Sequence, residues 1–155
     1  MKPAIQQMKQ ASVLAALAVI FLLGLMLTTQ PQTALAQSNQ ATHHVVFDMA
    51  KGEDTWDLLI THVNNLRNAF ADEGGSEVEV VFYGPALKML LKTNEKHEEG
   101  LKKLADAGVI LSACQNAMKF YKVKSEDLFP FAREVDSGLA QVVRRQEQGW
   151  ALIRH

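Results

Sequence analysis

Gly108-Val109-Ile110-Leu111-Ser112-Ala113-Cys114-Gln115-Asn116 is the stretch on which the fold of this chain turns. A short apolar run preceded by Gly reads as a buried strand, expected over Val109 to Ala113 and ending at Cys114. Its last residue would deliver a thiol to the carboxyl edge of a sheet, where open α/β folds place their ligand sites. A helix that follows would aim free backbone N–H groups and its positive dipole end at that sulfur, favouring the nucleophilic thiolate. Cys114 is the only cysteine in the chain. Burial as a small hydrophobe is the competing reading of a lone cysteine.

Upstream, His43-His44-Val45-Val46-Phe47-Asp48-Met49 has the continuous apolar centre of a strand covered on both faces. After a Gly52 turn, Asp54 is a candidate N-cap with Asp57 three residues on. Trp56, Leu59, Val63, Leu66 and Phe70 then recur at helical spacing. Asp72-Glu73-Gly74-Gly75 ends that helix. Val78 to Tyr83 reads as a strand, broken by Gly84-Pro85 before a short helix over Ala86 to Leu91. Glu95 to Ala107 reads as a charged surface helix with Leu101, Leu104 and Ala105 on its apolar side.

Downstream of Cys114, Ala117 to Tyr121 and Ser125 to Phe129 are short helical pieces, the second closed by Pro130. Ser137 can cap a helix from Gly138 to Gln148, with Leu139, Val142 and Val143 expected inward and Arg144-Arg145 outward. Gly149 ends it, and Trp150 to Ile153 reads as a last strand. Strands alternating with helices at this spacing imply an α/β fold: a three-layer α/β/α sandwich on a mainly parallel sheet of about five strands, with right-handed crossovers. Periodicity does not fix the strand order.

The first 36 residues read as an address. Lys2 and Lys9 precede an apolar run of 15 residues, Val13 to Leu27, then a polar stretch through Pro31 and Ala34-Leu35-Ala36. That is the order of a secretory signal peptide cleaved after Ala36, and the run falls short of the roughly 20 residues of a spanning helix. An uncleaved anchor is the alternative. Cleavage would leave 119 residues: a flexible lead-in over 37–41 and one domain over 42–155. The mature chain would carry 14 basic and 17 acidic side chains, a net charge of −3, with no basic, aromatic-interleaved surface for nucleic acid. With no membrane span left after cleavage and one cysteine, the domain has to be held by its core, without an internal disulfide.

Other chemistry finds little support. Gly74-Gly75 lies between a helix and a strand, the reverse of a phosphate cradle. His43 and His44 are adjacent on a strand and point to opposite faces, while His62 and His97 have no ligand one helical turn away. Met49, Met89 and Met118 fit core filling better than copper binding. A Cys-His-Asn protease signature is missing around Cys114. Cys114 therefore stands with Asn116, whose amide would either hydrogen-bond the sulfur or cap the next helix. No Lys, Arg or His lies within three residues of Cys114, so any charged activator has to come from elsewhere in the fold or from another subunit.

Three segments in this order resemble the DsrE/DsrF-like family of sulfur-relay proteins, in its signal-bearing branch. They are Val78-Glu79-Val80-Val81-Phe82-Tyr83-Gly84, the Gly108 to Asn116 stretch, and Val135-Asp136-Ser137-Gly138 leading on to Arg145-Gln146-Glu147-Gln148-Gly149-Trp150. The resemblance spans Thr42 to His155. It implies a three-layer α/β/α domain assembling into small homo- or hetero-oligomers. It also implies a strand-end cysteine, matched here by Cys114, that carries sulfur as a persulfide and hands it to a partner cysteine. The relays it resembles work in the cytoplasm and follow their cysteine with small and basic residues, whereas this chain carries a leader and Gln115-Asn116-Ala117-Met118. The expectation is a periplasmic sulfur carrier, sulfurtransferase-like and needing no cofactor, that exchanges sulfur with donor and acceptor proteins or small sulfur species. The alternatives are a non-catalytic oligomeric binding module with a structural cysteine, and a redox sensor that pairs Cys114 between chains.

Overall fold

A computed structural model describes residues 43–155; the expected leader (1–36) and lead-in (37–41) lie outside the described residues. Five strands, β1 (His43–Met49), β2 (Ser76–Phe82), β3 (Ile110–Cys114), β4 (Arg133–Val135) and β5 (Ala151–Arg154), form one all-parallel sheet in the order β4-β3-β2-β1-β5. Four of the strands are those the apolar runs predict. The fifth, β4, is three residues of Arg-Glu-Val at the sheet edge, too short and too polar to register as an apolar run. β2 begins earlier than Val78 because Ser76 and Glu77 pair with His43 and His44 at the amino edge, where polar residues carry no burial signal.

Four α-helices connect the strands: α1 (Trp56–Ala69), α2 (Glu95–Asp106), α3 (Gln115–Tyr121) and α4 (Gly138–Glu147). Asp54 does not cap α1. A 3-10 turn, Glu53–Thr55, precedes the helix and Thr55 takes the cap position, its hydroxyl donating instead to the Gly52 carbonyl at 3.0 Å. The pieces expected at 86–91 and 125–129 are likewise 3-10, over Gly84–Leu90 and Ser125–Asp127. α3 starts two residues before the expected Ala117, directly off β3.

The alternation of side chains along each strand separates two cores. Val45, Phe47 and Met49 of β1 share one face with Val78, Val80 and Phe82 of β2 and with Leu111 and Ala113 of β3. Trp56, Leu59 and Val63 of α1, Leu101 and Leu104 of α2, and Ala117 and Met118 of α3 cover that face. Met49, Met89 and Met118 are all buried there, as core filling requires. The other face holds a much smaller core, Val46 and Val81 against Val142 of α4 and Trp150. Chain direction explains the asymmetry. The chain steps from β1 to β4 in one direction across the sheet, then reverses to reach β5. A right-handed crossover that reverses direction passes over the opposite face, so α4 lies alone on the second face.

α4 is turned differently from the expectation of inward Leu139 and Val143. Both are exposed, and the buried stripe is Gly138, Gln141, Val142 and Arg145. The cause is Glu79, which β2 points into the second face with no exposure at all. A buried carboxylate requires donors and a counter-charge. Ser112 Oγ donates to it from β3, Gln141 Nε2 donates at 3.0 and 3.1 Å, and Arg145 Nε closes an ion pair. The Arg145 guanidinium also lies 4.0 Å from the Trp150 ring centroid. Helix rotation is set by this charge pair rather than by the count of apolar side chains.

Removing one partner of a buried pair strands the other charge. Arg145→Ala is expected to lower the unfolding free energy by about 3 kcal/mol in urea titration, and a loss under about 1 kcal/mol would show that the pair does not hold α4.

Candidate functional site

β3 and β4 are neighbours whose following connections leave on opposite sides of the sheet: α3 packs on the large-core face and α4 on the other. Ligand crevices of open α/β sheets form outside the carboxyl ends of strands that part in this way. Cys114, the last residue of β3, is in register with Val135, the last residue of β4. The sequence therefore placed the thiol at the right edge. The topology adds that this is the point where the sheet opens.

A cavity of about 320 Å³ occupies the crevice. Cys114 and Ala117 are at its base, with Tyr83 and Gly84 from the end of β2, Asn116, Phe120 and Tyr121 from α3, and Ser137 and Leu139 from the start of α4. The Cys114 side of the cavity is close-packed, and the thiol residue is only 5% exposed. Gly138 is the reason. A Cβ at this position would lie 3.0 Å from the Tyr83 Cβ and 3.2 Å from the Cys114 Cβ, so any larger residue would have to push α4 or these neighbours apart. Gly84, at φ +53°, turns the chain away from β2 in a conformation few other residues accept, leaving the mouth beside Tyr83 open.

Cys114 is itself the N-cap residue of α3, and α4 starts against its Cβ. Ser137 caps α4, its Oγ accepting from the Ala140 N–H at 3.4 Å, as the sequence predicts. The bidentate pair of Asp136 with Arg144, at 2.7 and 2.8 Å, fastens the residue before that cap to the helix, and Arg144 holds the Asp136 carboxyl far below the usual carboxylate range. No Lys, Arg or His is among the residues that line the cavity with Cys114; the start of α3 follows it directly and the start of α4 packs against its Cβ.

Asn116 does not cap α3. Because the helix begins at Gln115, Asn116 falls in its first turn, exposed, with its amide available to the cavity it lines. Tyr83 is the neighbour that sequence reading passed over. Its only sign was its place directly after an apolar strand, which is the carboxyl edge. Burial, and then the hydrogen bond to and the charge of the Asp48 carboxylate, push its phenol up to about 12. Tyr83 therefore stays a neutral hydrogen-bonding group at any physiological pH.

The histidines are elsewhere. His43 stacks on Phe70 at 3.9 Å and His44 lies 5.4 Å from Trp150, on opposite faces as adjacent strand residues must. His97 is buried against Trp56, bonded through Nδ1 to Asn94 Oδ1 and through Nε2 to Asp57 Oδ1, each at 2.8 Å. His62 Nδ1 meets His155 Nε2 at 3.0 Å across the fold, a contact no local spacing reveals. Among the described residues no three His, Cys, Asp or Glu side chains converge to hold a metal ion.

A family model described as the DsrE/DsrF-like family matches residues 32–154. The chain belongs to that family. No curated protein matches it. Among solved structures it is similar to a protein of unknown function, MTH1491, from Methanobacterium thermoautotrophicum. The two are 33% identical with a TM-score of 0.66, over 73% of this chain and 99% of that one. A DsrE-like chain is associated with sulfur relay in general terms, and the α/β fold of the relative agrees with the five-stranded sheet described above.

Two outcomes test the geometry of the crevice. Gly138→Ala is expected to destabilise the protein by about 1–3 kcal/mol through overpacking and to change the alkylation rate of Cys114, whereas an unaltered rate would mean that α4 does not shape the thiol's surroundings. The folded protein binds the Tyr83 proton more tightly than the unfolded chain does, so this contribution to stability is whole below the ordinary value of 10 and is lost as pH rises through about 12. An ultraviolet titration of the native protein should show a late phenol that Tyr83→Phe abolishes; a titration that Tyr83→Phe leaves without loss of a late phenol would contradict the assignment.

Proposed function

We propose that this protein is a sulfur carrier that holds sulfane sulfur on Cys114 as a persulfide and passes it to a partner thiol. The single observation that carries the reading is the position of Cys114, nearly buried and lining an open crevice where β3 and β4 part, in a DsrE-like chain. In the loading step the Cys114 thiolate attacks the sulfane sulfur of a donor and the donor thiolate leaves. In the unloading step an acceptor thiolate attacks the outer sulfur and Cys114 departs as a thiolate. Neither step changes the total oxidation state and neither needs a cofactor. The amide of Asn116 lines the same cavity, which supports it as a hydrogen-bonding neighbour of the sulfur.

The proposal includes export. The leader over residues 1–36 supports a periplasmic protein, and no helix among the described residues is long and apolar enough to cross a membrane. Donor and acceptor would be proteins or small sulfur species of that compartment. We also expect a homo-oligomer, for which the exposed Val143 on α4 is a candidate contact.

The low exposure of Cys114 favours a second reading, a non-catalytic oligomeric binding module in which the thiol is packing. One experiment separates the two. Intact-mass spectrometry of the mature protein after treatment with inorganic polysulfide and, separately, with organic hydropersulfides should show added sulfur atoms that a reductant removes, and Cys114→Ser should gain none. No gain in the wild type from any of these donors, together with a thiol that alkylates only after denaturation, would remove the carrier reading.

A further inference from the structure

We infer that the sulfur donor of this site is an organic hydropersulfide, R–S–SH with an uncharged apolar or aromatic R, rather than inorganic polysulfide or a carrier with an anionic R such as a carboxylate-bearing peptide persulfide. The inference rests on the carrier reading and adds the chemical class of its substrate.

Size argues first. A water molecule takes up about 30 Å³ of liquid, and one added sulfur atom is of the same order. The cavity over Cys114 holds about 320 Å³, roughly ten times the space that a bare sulfur atom requires and the size at which pockets for small organic molecules begin. The walls argue next. Tyr83, Phe120, Tyr121 and Leu139 present rings and an aliphatic side chain, and the polar side chains among them, Asn116 and Ser137, are neutral.

Charge decides between organic donors. No Lys, Arg or His is among the residues that line this cavity. The Lys88 ammonium lies 5.1 Å from the Tyr121 ring centroid but takes no part in the lining. Arg154, 3.4 Å from Asp48 beside Tyr83, is already engaged with that carboxylate, and Arg144 with Asp136. An anionic R group entering this space would lose hydration without gaining a counter-ion.

The step is balanced with these parts. The Cys114 thiolate forms a bond to the outer sulfur of R–S–SH, the S–S bond of the donor breaks, and its electron pair leaves on R–S⁻. The products are Cys114–S–SH, which keeps the donor's proton, and the thiolate R–S⁻. The sulfane sulfur keeps its oxidation state, so no oxidant or reductant enters.

The test compares benzyl hydropersulfide with glutathione hydropersulfide, using inorganic polysulfide as a third donor. Sulfur gain on the full-length mature protein is followed by intact mass, and each rate is divided by that of the same donor with a small free thiol. Loading from the benzyl donor is expected to be about tenfold faster than from the glutathione donor on this scale. Leu139 is 63% exposed at the rim, so Leu139→Arg should leave the fold intact, as circular dichroism would verify, and should raise the glutathione rate towards the benzyl one. Equal normalised rates, or a preference for glutathione hydropersulfide, would overturn the inference. Loading from polysulfide alone would overturn it while leaving the carrier reading standing, whereas no loading from any of the three would overturn both.

Discussion

The arrangement of the site depends on one buried ion pair, Glu79 with Arg145. The second face of the sheet has little apolar surface of its own, so α4 is located by a carboxylate that needs partners more than by hydrophobic area. Glu79 accepts from β3 through Ser112 and from α4 through Gln141 and Arg145, and Trp150 lies against the guanidinium. Each donor fixes a different degree of freedom. Gln141 and Arg145, four residues apart on one helix, set its rotation. The rotation puts Gly138, on the same stripe, at the far end against Cys114 and Tyr83. The ion pair and the thiol are thus coupled through the length of one ten-residue helix.

The same logic explains which parts of the molecule were legible in the sequence. β1, β2 and β3 are apolar runs buried on both faces, and α1 and α2 carry stripes whose period survives in the structure. The edge strand β4 has no such pattern, because pairing on one side only demands little of its side chains. The orientation of α4 was misjudged because Leu139 and Val143 are apolar and Arg145 is charged, and an apolar-in rule assigns them accordingly. The decisive residue, Glu79, lies 66 positions from Arg145 inside a strand that otherwise reads as hydrophobic. A single carboxylate in such a run is the one local sign that a cation has to come inward to meet it.

The site was half legible for a related reason. Cys114 was placed at the carboxyl edge by the end of an apolar run and by helix-forming residues beyond it. Its surroundings come from β2, α3 and α4, segments joined only by the strand order, which periodicity leaves open. Once the order β4-β3-β2-β1-β5 is known, the reversal between β4 and β5 sends α4 to the opposite face from α3, and the crevice between them follows. Asn116 illustrates the difference of scale. A shift of the helix start by two residues converts it from a cap into a cavity-lining side chain.

The burial of Cys114 bears on the direction of sulfur transfer. A thiol 5% exposed at the base of a crevice is reached by a small donor that enters the cavity more readily than by a cysteine on the surface of another protein. Adding one sulfur changes this. An S–S bond is about 2.05 Å long, so the outer sulfur of a persulfide on Cys114 stands farther out than the thiol did. The cavity that Cys114 lines is also lined by the exposed Phe120 and Leu139. On the proposed chemistry the empty carrier is selective because its thiol is recessed, and the loaded carrier presents its outer sulfur closer to a rim that a protein acceptor can touch. Loading and unloading would then use different depths of one cavity, with Gly138 setting the inner limit and α3 the outer one.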